Sequence, residues 1–378
     1  MTIGILLPHS NAHPGIFKDY MDGFNALLSQ KELTGAITIK KESVGLGGIE
    51  KEVYARAEKL LVSEDVDILI AYIDEKVTGM IYSLVQATGK LMIIVNPGAN
   101  HPLNWIAQPT VIHLNLQHAF LCWLTGKLAA GNNNQGGAYA SSFYDCGYLH
   151  SADMVKNFMF NGGTILHNYI NNQAYDDNFE INQLTDFLTF NPACENILSV
   201  YDEKPAALFY ERLNGHQSEI PLRLYVSPMM MTGTGLGKMG EGFNFSIEGY
   251  LPWQPGKDSG GNTDFIKACT RPATIFSLLG WESALVIEEI MNYKGLPQDG
   301  ENQVEHLKQT RLEGPRGEMK LDPESLYYTA PVGKYSLKSG STNASVEWDI
   351  EIEKEWKTFS SIETEGAVTG WTNTYLCY

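Results

Sequence analysis

The sequence predicts an α/β protein of two lobes, each built on a parallel, doubly wound sheet. Short apolar runs alternate with amphipathic stretches over the first hundred residues. The same rhythm starts again after about residue 118 without repeating the sequence. The length agrees, since 378 residues exceed one ordinary core and suit two lobes of roughly 150–200 residues each.

The elements follow in chain order. Ile3 to Leu7 is a short apolar run, as a buried parallel strand requires. Phe17, Tyr20, Met21, Phe24, Leu27 and Leu28 recur at helical spacing. Ala36 to Lys40 reads as a strand, and Ile49 to Val62 as a helix with Val53, Ala57, Leu60 and Leu61 on one face. Val66 to Tyr72 and Leu91 to Val95 are further strands, with a helix through Val77–Val85 between them. The second series has helices at His118–Ala130, around Met154–Met159, at Ile181–Leu188 and at Ala206–Leu213. Its strands are Gly137–Ser142, Thr164–Tyr169, Ile197–Tyr201 and Leu222–Val226. Gly249 to Trp253 reads as a strand leaving the second lobe, and Thr274 to Tyr293 as a long apolar helix. Near the end, Val346, Trp348, Ile350 and Ile352 alternate with acids at period two, the pattern of a half-exposed strand.

Composition removes several function classes. The formal net charge of −17 repels nucleic acid and anionic lipid, so neither is an expected partner. No apolar run reaches the ~18–20 residues of a membrane span. The five cysteines include no CxxC pair, and an odd number cannot form a closed disulfide framework. The first strand begins almost at Met1 with no basic segment before it. The protein is therefore periplasmic or extracytoplasmic if a leader has been removed, and cytoplasmic if Met1 is the true start.

Nothing in the sequence carries catalysis. There is no GxxxxGK[ST] phosphate loop and no GxSxG elbow. Gly233, Gly235 and Gly237 lack the final spacing of a dinucleotide fingerprint and do not open a first βα unit. His9 and His13 lack the third ligand a metal needs. The expectation is no enzyme, no metal and no cofactor.

Four stretches, in their order, resemble the type I periplasmic solute-binding proteins of ABC transporters, in the branched-chain amino acid, amide and urea class. They are Ile3–Ser10 with Gly15, Val95–Asn100, Ala140–Gly147 and Gly314–Pro323, with Gly280–Ala284 on the long helix. The resemblance covers roughly residues 2–338. It implies two Rossmann-like lobes joined by a three-crossover hinge near His113–Gln117, Gly249–Leu251 and Gly314–Leu321. One lobe would be 1–115 with 251–315, and the other 116–250 with 316–338, leaving 339–378 as an extension without a place. The implied function is capture of a small polar solute by hinge closure and its delivery to a membrane permease. The alternative is a cytoplasmic sensor on the same fold, with a regulatory protein as its partner.

Ligands of α/β sheets bind at the carboxyl ends of the strands. The candidate ligand-binding residues lie there: Ser10, Asn11, Asp74, Glu75, Asn96, Gly98, Ala99, Asn100, Tyr144, Asp145, Tyr201 and Met229. Ser10 and Asn11 read equally as helix caps. Asp74 and Glu75 read either as receptors for N–H donors or as a solvated pair opening a helix. Small residues at Gly98 and Ala99 let backbone N–H groups approach a ligand. Tyr144 and Tyr201 could close over a ligand or pack locally. Relatives that bind amino acids carry hydroxyl residues near Asp74 and an acid near Met229. Their replacement here predicts a neutral or cationic ligand instead of an ordinary zwitterion.

Overall fold

The computed structural model describes residues 1–131, 135–171, 178–216, 221–232, 242–293, 299–348 and 351–362. The first lobe is a parallel five-stranded sheet in the order β2-β1-β3-β4-β5. Its strands are β1 (Thr2–Leu7), β2 (Thr38–Ser43), β3 (Ile68–Tyr72), β4 (Leu91–Asn96) and β5 (Val111–Asn115). Strands β3, β4 and β5 are buried along their whole length, which is why they read as unbroken apolar runs. Edge strand β2 is polar and runs to Ser43, three residues past its sequence-predicted end, because its register is set by pairing with β1 from Thr2↔Thr38 to Leu7↔Ser43.

The connecting helices are α1 (Ile16–Gln30), α2 (Glu50–Glu58), α3 (Glu75–Thr78) and α4 (Tyr82–Thr88). The expected single helix over 49–62 ends at Glu58 and continues as a π-helical turn, Lys59–Ser63. The expected helix over 77–85 is broken into α3 and α4 around Gly79.

The second lobe holds a seven-stranded sheet, ordered β15-β14-β10-β9-β8-β6-β7. Strands β6 (Gly136–Ser142), β7 (Thr164–Asn171), β8 (Asn196–Val200), β9 (Arg223–Val226) and β10 (Ser246–Leu251) are parallel. Helices α5 (His118–Ala130), α6 (Leu149–Phe160), α7 (Asn182–Phe190), α8 (Glu203–Asn214) and α9 (Pro228–Thr232) connect them. Gly233, Gly235 and Gly237 lie outside the described residues.

From β10 the chain returns to the first lobe as α10 (Gly260–Ala268), α11 (Ile275–Asn292) and α12 (Gly300–Gln309). Helix α11 opens on a capping box in which Thr274 and Ser277 satisfy each other's backbone N–H. It crosses α1 at backbone contact. A Cβ on Gly280 would sit 1.9 Å from the Tyr20 carbonyl, and one on Gly23 would sit 1.8 Å from that of Ser277. Gly280→Ala must push the helices apart, and the expected loss is about 1–3 kcal/mol, read as a lowered denaturant midpoint.

Residues 311–329 form a small sheet of their own: β11 (Arg311–Gly314), β12 (Gly317–Leu321) and β13 (Tyr328–Thr329). The third passage between lobes therefore comes after β13, later than the sequence suggested. There β14 (Gly333–Leu337) joins the second sheet antiparallel to β10, followed by β15 (Ser345–Glu347). The predicted terminal strand is short. Ile352 does not continue it but stands at the start of helix α13 (Glu353–Phe359), with 349–350 outside the described residues.

Candidate ligand-binding site

Both parallel sheets turn their carboxyl ends toward each other, and the loops that leave those ends meet in a seam. On the first lobe these are the loops after β1, β3 and β4; on the second, the loops after β6 and β8 and the start of α6. Among the contacts that cross the seam are two side-chain pairs and two hydrogen bonds to the start of α6. His13 Nε2 lies 2.8 Å from Asp202 Oδ2. His101 Nε2 lies 3.0 Å from Asp153 Oδ2 on α6. The His150 N–H donates to the Ala99 carbonyl at 2.9 Å, and the Leu149 N–H donates to Asn100 Oδ1 at 3.0 Å. The first lobe thus supplies acceptors for the amino-terminal N–H groups of a second-lobe helix, groups no intrahelical bond can satisfy. Tyr148 and Met229, both from the second lobe, are buried in the apolar core of the first.

Beside the His13 pair lies a second buried acid. Asp145 Oδ2 accepts from Ser142 Oγ at 2.7 Å and from the Asp202 backbone N–H at 2.9 Å. Burial, then the neighbouring Asp202 charge, push its carboxyl up to about 7, against the pull of those hydrogen bonds and of His13. Burial alone would depress His101, but the Asp153 charge and hydrogen bond outweigh it and hold the imidazole above its usual value. His13 stands edge-on to Phe276 at the start of α11, with ring centroids 5.0 Å apart.

No protein-family model matches the sequence, and no curated protein matches it significantly. Solved structures do match. An ABC transporter substrate-binding protein from Sphaerobacter thermophilus aligns with a TM-score of 0.74 at 14% identity, over 93% of this chain and 97% of that one. A solute-binding protein of an ABC transporter from R. palustris, in complex with benzoate, gives 0.69 at 17% over 92% and 95%. A branched-chain amino acid transporter substrate-binding protein from Streptococcus pneumoniae, in complex with isoleucine, gives 0.67 at 13% over 92% and 99%. The fold is that of the type I periplasmic solute-binding proteins.

Within this solute-binding fold the sequence-selected residues separate into groups. Ser10 is buried and accepts from the His13 N–H at 2.8 Å; it does not cap α1, whose cap position is Gly15. Asn11 is exposed on the same loop. Asp74 is buried, so the solvated-pair reading fails; it caps α3 through the Lys76 N–H and accepts from Asn100 Nδ2 at 3.1 Å. Glu75 turns away to His113 Nδ1, 3.2 Å distant on β5. Asn96 is committed locally, donating to the Ile73 carbonyl and accepting from the Gly98 N–H. Gly98 adopts φ +82, and a Cβ there would meet the Gln117 backbone at 2.8 Å, so this glycine permits close packing of the first crossover. Ala99 and Asn100 belong to the seam itself. Tyr144 is half-buried beside Asp145, whereas Tyr201 packs in the second-lobe core, its ring 4.8 Å from that of Phe209.

The sequence reading missed the pairs that cross the seam. His13 and Asp202 are 189 positions apart, and His101 and Asp153 are 52 apart. Only their placement at strand ends, which the alternation does reveal for Asp202, could have flagged them.

Proposed function

We propose that this protein is the substrate-binding component of an ABC-type transporter, working outside the cytoplasm, which captures a small polar solute as its lobes close about the hinge. The supporting observation is the seam: acid and imidazole side chains from the carboxyl ends of two separate sheets meet across it at hydrogen-bond distance. Such contacts exist only when the lobes are together, so they make closure a two-state event that a ligand can bias through its differential affinity. The reading is of binding without chemistry, with a membrane permease as the partner. No described helix is long and apolar enough to cross a membrane.

The solute we assign is neutral or cationic and rich in N–H donors. Asp145 and Asp202 are buried together at the carboxyl ends of β6 and β8, and Asp74 is buried at that of β3. A benzoate-like anion entering between them would meet three buried carboxyl groups with one imidazole, His13, on Asp202, an unfavourable excess of negative charge once water is excluded. A thermal-shift screen decides the matter. The fitting solute, at about a hundred times its Kd, should add about 2.7 kcal/mol of stability. Amines, amides and ureas should produce the leading shifts. If leucine, valine or benzoate gives the dominant shift, the charge argument fails.

A further inference from the structure

We propose that α13 is a clasp: it is rooted on the second lobe and receives a loop of the first, biasing the protein toward the closed arrangement. Within the segment that the sequence left without a place, Ile352, Trp356 and Phe359 are buried. Ile352, Trp356 and Phe359 pack with Phe120, Trp123 and Leu124 of α5, which roots the helix on the second lobe. The Phe120 and Trp356 rings meet edge to face at 5.3 Å, and the Trp123 and Phe359 rings lie 5.8 Å apart. Lys127 on α5 pairs with Glu355 at 2.6 Å. Strand β15, just before it, is already tied to the second sheet through β14.

The same apolar residues of α13 also take the loop after β4. Trp105 meets Trp356 and Phe359, each edge to face at 5.6 Å, and meets Tyr327 at 5.1 Å. His101 stacks on Trp105 and stands edge-on to Phe359 at 5.1 Å. Its Nε2 is the atom that reaches Asp153 across the seam. The same short loop therefore carries the seam acceptors, Ala99 and Asn100, and the rings held by α13. Parting the lobes must draw Trp105 and His101 out of an aromatic pocket and return those rings to water. Edge-to-face ring pairs and buried aromatic area oppose that motion. Asp153 and Phe359 hold one imidazole from two sides, so the polar seam and the aromatic clasp engage together.

The inference rests on the hinge reading, and its test needs no ligand. The Leu149 and His150 amides find their acceptors in the opposite lobe, so their hydrogen exchange reports seam opening. In the full chain, Trp105→Ala and, separately, Phe359→Leu should speed exchange at these two amides by about tenfold, while β3 and β8 amides stay within about twofold. The double variant should add little to Trp105→Ala, because both changes open one contact. His13→Ala serves as the hinge control. If it speeds the two amides and neither clasp variant does, the hinge stands and the clasp is overturned. Equal acceleration across β3, β8 and the seam would reduce α13 to a general support and likewise overturn the proposal. Should no variant, His13→Ala included, alter exchange at the seam, both the clasp and the hinge reading are lost.

Discussion

Arg316→Met should destabilise the protein by about 3–5 kcal/mol, because it strands a buried carboxylate. Arg316 sits at the tip of the β11–β12 hairpin, and its guanidinium grips Glu282 of α11 through two parallel bonds, Nε to Oε1 at 2.8 Å and Nη2 to Oε2 at 2.7 Å. The Glu282 side chain is fully buried and that of Arg316 is 3% exposed. Nη1 adds a longer bond, 3.5 Å, to the Asn115 carbonyl at the first crossover. Two charges taken out of water are held by geometry and mutual attraction; removing one leaves the other with its desolvation uncompensated. Replacing both, as Arg316→Met with Glu282→Leu, should recover most of the loss, since apolar groups of similar volume fill the site without charge. Urea midpoints of the two single variants and the double variant measure the coupling. A single-variant loss below about 0.5 kcal/mol would place the pair among ordinary surface ion pairs and refute the argument.

That pair also shows what the sequence could and could not disclose. Continuous apolar runs such as Val66–Tyr72 and Leu91–Val95 signal strands covered on both faces, and the helical spacing from Phe17 to Leu28 signals one buried stripe. These local patterns are fixed by burial, and burial is written in residue type. Edge strand β2 was misplaced because its polar residues take their register from β1, a partner the local pattern does not name. Helices α10 and α12 were not anticipated. Each is short, and the large apolar side chains buried on them are Phe265 on α10 and Val304 and Leu307 on α12. Asp74, Glu75 and Asn96 do lie at strand ends, but a strand end faces crossover, core and cleft alike. Which of these a side chain meets depends on partners such as His113 and Asn100, and spacing says nothing about them. The terminal alternation from Val346 to Ile352 misled for a related reason: Val346 and Trp348 pack on the second-lobe core whereas Ile352 packs beside α5, and the local pattern names neither neighbour.

Acidification from about pH 8 to pH 6 should favour the closed arrangement, because closure raises the proton affinity of two groups at the seam. Asp145 is an acid whose pKa in this structure is raised to about 7, first by burial and then by Asp202. His101 is a base raised by Asp153 against the effect of burial. The groups facing Asp145 are Asp202, His13, Ser142 and the thiol of Cys146; those facing His101 are Asp153 and, with opposite effect, Lys156. With the lobes apart, water reaches Asp145 and removes the burial that is the largest cause of its raised pKa, although Asp202 stays beside it and the opposing pull of His13 is lost; Asp153 lies beyond reach of His101, whose pKa falls as well. A raised pKa means that the closed form holds more protons through the interval between the two values. The stabilisation is then complete below the open-state pKa and lost as pH rises through the closed-state one. For Asp145 that interval ends at about 7, and each pH unit within it changes the equilibrium by up to about tenfold. Asp145→Asn keeps an oxygen for Ser142 and for the Asp202 N–H while removing the charge. It should raise stability at pH 8, change it little near pH 4, and flatten most of the pH dependence. His101→Gln should remove the remaining slope near neutrality. Protection factors of the Leu149 and His150 amides, together with urea midpoints at pH 5, 6, 7 and 8, follow both effects. A wild-type seam that loosens on acidification within that range, or an Asn variant that is less stable at pH 8, would reverse the sign and dismiss proton-linked closure.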